Sequence, residues 1–567
     1  MRLAANLLNV FDHVIAYAEI EVEDKRIVNV TILGAEKVGA PYLMPGFVDA
    51  HVHIESSMLT PAQFARLAVV HGTVATVSDP HEIGNVLGVK GVEYMIEDGK
   101  RVPFKFCFGA PSCVPATTFE TAGAAISVKE VRQLLALKEI GYLAEMMNFP
   151  GVLHEDPEVM MKIQWAKAFN KPVDGHAPGL RGEAAKKYIE TGISTDHECF
   201  TYEEALGKLQ SGLDYILIRE GSAAKNFEAL IPLLADYPTR LMFCSDDKHP
   251  DNLVEGHINQ LVKRALAKGH KLFDVLRVAC LNPALHYRLP VGLLREGDPA
   301  DFIVVDNLED FNVLETYING QKVAERGVSF LPDLRSPIVN QFDCLSCQSA
   351  DLAVEAPAEQ VRLKVIEALD GQLITNALEF PARIENGTIV PDVENDILKI
   401  VVVNRYHPAP VAVGFIKNFG LKEGAIASSV AHDSHNIIAV GCDDESLARA
   451  INLVIEAKGG VSAVEGKVQS EKVKEKSVKQ ETGEVAVNSK LLPLPIAGLM
   501  SDEDGYEVAR QYTEIDDFVK KILKSSLTSP FMTLSFMALL VIPSLKMSDL
   551  GLFDGQSFSF AKYYFEN

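Results

Sequence analysis

The run MPGFVDAHVHIESSM, residues 44 to 58, constrains this chain most, because His51 and His53 stand one residue apart at the end of an apolar, strand-like stretch. In an extended chain residues i and i+2 point to the same side. Both imidazoles can therefore reach one divalent ion, and Pro45-Gly46 marks a turn that feeds the strand from a loop. Taken alone, a His-x-His pair on a surface strand is equally compatible with no metal at all.

The rest of the chain changes that balance. VATVSD (74 to 79), FKFCFG (104 to 109), YLAEM (142 to 146), PVDGH (172 to 176), ISTDH (193 to 197), YILIR (215 to 219) and LMFCSDD (241 to 247) are short apolar or β-rich runs. They alternate with helix-compatible stretches at intervals of roughly 20 to 35 residues, the pattern of a (β/α)8 barrel. Such barrels place their chemistry at the C-terminal ends of the strands. This puts His51, His53, Glu145, His176, His197 and Asp246 at one mouth, a donor set suited to a pair of ions such as Mn, Fe or Zn. The bland alternatives are core histidines at 176 and 197 and a helix-starting carboxylate at Glu145. Asp246 and Asp247 are adjacent and would point differently on a strand, which favours Asp246 as the catalytic group and Asp247 as an orienter.

PGFVDAHVHIESSM, SDPHEIGNVLG (78 to 88), AEMMNFPGVL (144 to 153), DGHAPGL (174 to 180), TDHE (195 to 198), CSDDKHP (244 to 250), SSVAHDSHNIIAVG (428 to 441) and LPIAGLMSD (494 to 502) together carry a resemblance. The chain resembles the amidohydrolase superfamily, and within it the adenine deaminase family, over nearly its whole length. Many superfamily members bridge two metals with a carboxylated lysine from the fourth strand, where Glu145 stands here. The resemblance implies a binuclear divalent-metal centre, with Mn ahead of Fe or Zn, and hydrolytic deamination of adenine to hypoxanthine and ammonia in purine salvage. The alternative is another amidohydrolase, acting on a different nucleobase or cyclic amide. A third possibility, a silent scaffold, should show missing ligands, and none is missing.

A metal lowers the pKa of bound water to roughly 7 and so supplies a nucleophile; Asp246 is then the natural proton shuttle. His81 and Glu82 follow the second strand. Either they line the mouth, where a carboxyl could protonate a ring nitrogen, or they open a helix capped by Ser78, Asp79 and Pro80. The HDSHN string, with His432 and His435, and GLMSD, with Asp502, could join His81 in a possible additional site through a third domain; His and Asp in loops are otherwise often turn formers.

Short β-like pieces precede Pro45, as in EIEVEDKRIVNVTIL (19 to 33), and alternation resumes at EGDPADFIVVD (296 to 306) and VLETYINGQKVAE (313 to 325). The expected organisation is a composite β-sandwich-like domain from 1 to 44 plus 289 to 340, a barrel from 45 to 288 whose last helix ends near Asn282-Pro283, and a C-terminal α+β domain from 341 to 567. The net charge of -23, from 54 basic and 77 acidic residues, argues against nucleic-acid or anionic-membrane partners but not against a neutral base such as adenine. Eight cysteines without regular spacing fit reduced thiols in a cytoplasm, and Cys344 with Cys347 forms a CxxC lacking the second pair a zinc site needs. No targeting signal is evident around Leu3 to Phe11. The apolar stretch Phe531 to Ile542 falls short of the ~20 residues that span a bilayer and reads as buried core. Barrel enzymes of this size commonly self-associate, so a homo-oligomer is expected.

Overall fold

Eight short strands with parallel neighbours build the scaffold of the first unit: β1 (Phe47–Val52), β2 (Thr73–Ser78), β3 (Lys105–Ala110), β4 (Ile140–Met146), β5 (Val173–Gly175), β6 (Thr195–Asp196), β7 (Tyr215–Arg219) and β8 (Leu241–Cys244). This structure, a computed structural model, describes residues 1–466 and 488–565. The charge-dense segment 467 to 484, whose composition suggests an exposed loop or a solvated helix face, lies outside the described residues. β1 to β5 form one ladder and β6 to β8 another. The ladders join through Ser194 N–H to Val173 O at 2.9 Å, and β1 closes on the end of β8 by a parallel bridge between Val52 and Asp246. β1 and β2 are buried at every residue, as parallel strands covered on both faces are. Ala50, Val77, Cys107, Tyr142, Ala144, Leu217, Met242 and Cys244 fill the barrel interior.

The strands are shorter at their ends than the apolar runs. β6 keeps two residues and β8 stops at Cys244, so His176, His197 and Asp246 sit just beyond strand ends, while Glu145 lies within β4. The last barrel helix does not end at Asn282-Pro283. Helix Leu272–Leu276 continues through a π-helical turn, Arg277–Leu281, into helix Asn282–His286. Pro283, which has no N–H to give, follows directly on the π-helical bond from Asn282 N–H to Arg277 O, where the regular hydrogen-bond ladder is already shifted.

Both flanks of the barrel pair into one eight-stranded sheet, ordered Val328–Ser329, Gln321–Glu325, Val313–Ile318, Phe302–Val305, Tyr42–Pro45, Arg2–Asn9, Val14–Glu23, Arg26–Ala35. The hairpin within residues 14 to 35 turns at Asp24 (φ 45°) and Lys25 (φ 72°); positive φ at both central residues matches the right-handed strand twist. Leu7, Ile20, Leu43, Phe302 and Tyr317 form its core.

The chain divides into two compact units: residues 1–116, 124–336 and 502–509 form the first, and 117–123, 337–501 and 510–567 the second. The second holds an eight-stranded sheet ordered Thr375–Pro381, Arg362–Ala368, Ala412–Lys417, Ile397–Val403, Ile437–Gly441, Ala425–Ser428, Gly460–Val464, Ser489–Pro493. Helix Asp444–Glu456, capped by the Asp443 side chain, buries Leu447, Ile451 and Val454 against Val401, Ala427 and Ala439 of that sheet. Phe531 to Ile542 is buried core, with Pro530–Phe536 helical. No helix among the described residues is long and apolar enough to cross a membrane.

Candidate active site

His51 lies in β1 and His53 one residue past it, and both are buried. Their Nε2 atoms approach to 3.2 Å. Asp246 Oδ1 stands 3.4 Å from His51 Nε2 and 3.3 Å from His53 Nε2. From β4, Glu145 presents Oε1 to His53 Nε2 at 3.3 Å and Oε2 to His176 Nδ1 at 2.7 Å and His197 Nε2 at 3.0 Å. All six expected ligands thus meet around one buried point, with Glu145 between the pair from β1 and the pair from β5 and β6. The approach of β5 to β6 depends on Gly175, where an added Cβ would lie 2.4 Å from Thr195 O. A side chain there would push His176 away from His197.

Electrostatics follow from burial opposed by pairing. Burial and the neighbouring His197 lower the pKa of His51. Burial also disfavours the charged form of His53, but hydrogen bonds to Asp246 and Glu145 outweigh it and hold its pKa well above the usual imidazole value. His197 is raised to about 9, the Glu145 charge overcoming desolvation. For Asp246, desolvation is overcome by the Arg219 charge and by hydrogen bonds from His51 and His53, and its pKa falls well below the carboxylate range. His51 Nδ1 and His176 Nε2 have no hydrogen-bond partner among the described residues. Imidazole and carboxylate donors converge within 4.8 Å of one another in overlapping groups, a set that fits divalent cations.

The mouth also gathers the second-strand residues. Helix His81–Leu87 starts directly after Pro80, without a side-chain cap bond; the Asp79 carboxylate instead accepts from His81 N–H at 3.1 Å. His81 Nδ1 lies 3.2 Å from Asp79 Oδ2 and 3.5 Å from Glu145 Oε1. The Ser56 hydroxyl lies 2.8 Å from Glu82 Oε1 and 2.6 Å from Asp247 Oδ1, which joins the two other expected catalytic carboxyls. Beside them Glu55 is pushed up to about 8 by burial and the Glu82 charge.

The remaining candidates divide between the two units. His432 and His435 belong to the second unit, their rings 5.8 Å apart; His432 Nδ1 meets Ser535 Oγ at 2.6 Å. Asp502 belongs to the first unit, where its carbonyl accepts from Arg335, and among the described residues it enters no group of potential metal ligands. Cys344 and Cys347 line a cavity of about 340 Å³ in the second unit and likewise join no such group.

Residues the sequence reading passed over support the cluster. Asp49, two before His51, accepts from Ser245 N–H at 2.9 Å, from Ser245 Oγ, and from His257 Nε2 at 2.8 Å. Glu198 and Arg219 stand beside His197 and Asp246. Arg219 did leave a signal, a charged residue closing an apolar barrel strand at the end where chemistry sits.

Residues 42–323 match the amidohydrolase family model, and 372–474 and 476–559 match the adenine deaminase C-terminal domain. The chain is 53% identical to an adenine deaminase of Salinibacter ruber over 98% of each chain. It is 53% identical to an adenine deaminase of Sulfurovum sp. over 99% of each, and 50% identical to one of Methanosarcina mazei over 96% of each.

Proposed function

The chain belongs to the adenine deaminase family of amidohydrolases, and from that premise we propose that it hydrolyses adenine to hypoxanthine and ammonia, serving purine salvage. One observation carries the substrate: half of all residues are shared with adenine deaminases over nearly the full length of both chains.

His51, His53, Glu145, His176, His197 and Asp246 would hold a pair of divalent cations, with Mn ahead of Fe and Zn; Glu145 faces His53 with one oxygen and His176 and His197 with the other. When bound, such cations lower the pKa of a water to roughly 7 and make it a nucleophile at neutral pH. Asp246 takes the proton released as the water oxygen adds to C6 of the purine. The Ser56 hydroxyl has one hydrogen for two carboxyl groups, so a further proton on Glu82 or Asp247 completes its two short contacts. That proton is the one Glu82 delivers to the adjacent ring nitrogen, with Asp247 orienting the pair. Asp246 then returns its proton to the amino group, the C6–N bond breaks, ammonia leaves, and the hydroxyl proton left on C6 restores Glu82. The surrounding protein keeps bulk water out: every one of these side chains is buried.

The test is ammonia release together with the ultraviolet shift from adenine to hypoxanthine, for protein reconstituted with Mn and for Asp246→Asn. The parent should turn over and the variant should lose roughly 10²- to 10⁴-fold in kcat, the span typical of a removed general acid-base group. Protein that binds two equivalents of metal and leaves adenine untouched would transfer the assignment to another nucleobase or a cyclic amide.

A further inference from the structure

Arg219 closes β7 with its side chain fully buried, and its guanidinium holds two carboxylates at once. Nη1 donates to Asp246 Oδ2 at 2.6 Å and to Glu198 Oε1, while Nη2 reaches Glu198 Oε2 at 3.1 Å. The two oxygens of Asp246 are thereby divided: Oδ2 stays on the guanidinium and Oδ1 faces His51 and His53.

Glu198 has a second set of neighbours. Its Oε1 lies 3.4 Å from His197 Nε2 and 3.7 Å from His176 Nδ1, within reach of the same ions those imidazoles would hold. Its pairing with Arg219 keeps both of its oxygens engaged. The Asn226 side chain fixes this corner of the barrel: Oδ1 accepts from Arg219 N–H at 2.6 Å, and Nδ2 donates to His197 O and Cys199 O, each at 3.1 Å.

The backbone adds an independent observation. Asp246 has φ 56°, a left-handed conformation that non-glycine residues adopt at a cost and mostly at functional sites. It is held by Asp246 N–H to His51 O at 2.9 Å and His53 N–H to Asp246 O at 3.3 Å. This turns the side chain away from the direction a continued strand would give it, toward Arg219. A planar fork can serve two carboxylates in fixed directions, whereas an ammonium is a point charge.

We infer that Arg219 is a positioning residue that pins Asp246 with one oxygen on the guanidinium and the other toward His51 and His53, and that Glu198 is the anchor fixing the guanidinium. This rests on the reading of Asp246 as metal ligand and proton carrier.

The experiment compares Arg219→Gln, Arg219→Lys, Glu198→Gln and the Glu198→Gln/Arg219→Gln double variant with the parent. It records kcat and KM for adenine, and metal affinity by competition with a chromophoric chelator, which requires no substrate. Partners of this kind typically influence activity or metal affinity by 10- to 100-fold. Arg219→Gln should therefore lose about 10- to 100-fold in kcat with KM within about threefold, still take two equivalents of metal, and bind one of them about tenfold more weakly. Arg219→Lys should recover little. Glu198→Gln should move kcat in the same direction by less, and the double variant should be no worse than Arg219→Gln, because the residues act as one unit. Parental kcat and metal affinity in Arg219→Gln, or losses that add in the double variant, overturn the inference. If Arg219→Gln fails to fold, Glu198→Gln decides: a lowered kcat at unchanged KM supports the clamp, and parental kinetics refute it. A parent that leaves adenine untouched sinks the functional reading instead, and the chelator competition still decides whether the clamp governs the ligand.

Discussion

Removing the Asp49 carboxylate should loosen the cluster while leaving every proposed ligand side chain in place; beyond a long 3.4 Å contact from His51 N–H, its hydrogen bonds run to residues outside that set. Asp49 stands in β1 two residues before His51, and its partner Ser245 directly precedes Asp246, so one side chain sets the spacing between the first and last strands at the mouth. It accepts from Ser245 N–H at 2.9 Å, from the Ser245 hydroxyl, and from His257 Nε2 at 2.8 Å; His257 Nδ1 in turn meets Thr73 Oγ1 at 2.7 Å. Asp49→Ala strands these three donors in a region where Asp49, Ser245 and His257 are each 1% exposed or less. An unsatisfied buried donor costs about 1–3 kcal/mol, and partial relaxation leaves a total of roughly 3–6 kcal/mol. Asp49→Asn is milder. Its carbonyl can keep the Ser245 N–H, its amide can donate to the hydroxyl oxygen, and His257 can switch tautomer and donate from Nδ1 to Thr73. The loss is then the difference between charged and neutral hydrogen bonds, about 1–2 kcal/mol. At roughly 2 °C per kcal/mol for a domain of this size, the first melting transition should fall by about 6–12 °C in Asp49→Ala and about 2–4 °C in Asp49→Asn. Differential scanning calorimetry of the metal-loaded protein at one scan rate measures both. Equal shifts for the two variants, or none for Asp49→Ala, would refute the brace.

Dialysis against a strong chelator should abolish adenine turnover and lower the melting temperature of the first unit, since a ligand that binds only the folded state stabilises it. Two equivalents of Mn per chain should restore both, and recovery at one equivalent would count against a binuclear centre. Lys546 gives a separate test in the second unit. Burial pushes its pKa down to about 7, while its ammonium donates to Leu373 O at 2.6 Å and Phe536 O at 2.8 Å. Between pH 7 and the unfolded-state value near 10.5 the unfolded chain binds the extra proton, so this group makes stability rise with pH. Denaturant unfolding at pH 7 and pH 9 should show the difference between wild type and Lys546→Met moving about 2 kcal/mol in favour of wild type; curves that stay parallel would remove Lys546 as the source.

Much of the barrel is legible because each strand is a local event. A run such as YILIR needs no distant partner to be recognised, and the structure assigns Tyr215–Arg219 to β7 without adjustment. Boundaries are less legible where pairing decides them. β6 shrinks to Thr195–Asp196 because only those residues find register against Tyr215 and Ile216, and the helix expected to stop before Pro283 runs on through a π-helical turn that shifts the hydrogen-bond ladder just where proline has no donor.

The candidate site divides along the same line. His51, His53, Glu145, His176, His197 and Asp246 are named by the sequence, since the end of an apolar run marks a barrel mouth and imidazoles or carboxylates there are few. Arg219 shares that mark only in closing an apolar strand, and Glu198 and the Asp49–His257 pair have none that tells their partners. Their meaning lies in contacts across 27, 21 and 208 residues, formed only when β6, β7 and β8 pair side by side and β8 closes on β1, bringing each buried charge to its counter-charge. Residue type and position along a strand fix which groups can take part. Which oxygen faces the imidazoles and which is tied to a guanidinium is decided by barrel closure, because a buried charge is tolerated only in the one geometry that pairs it.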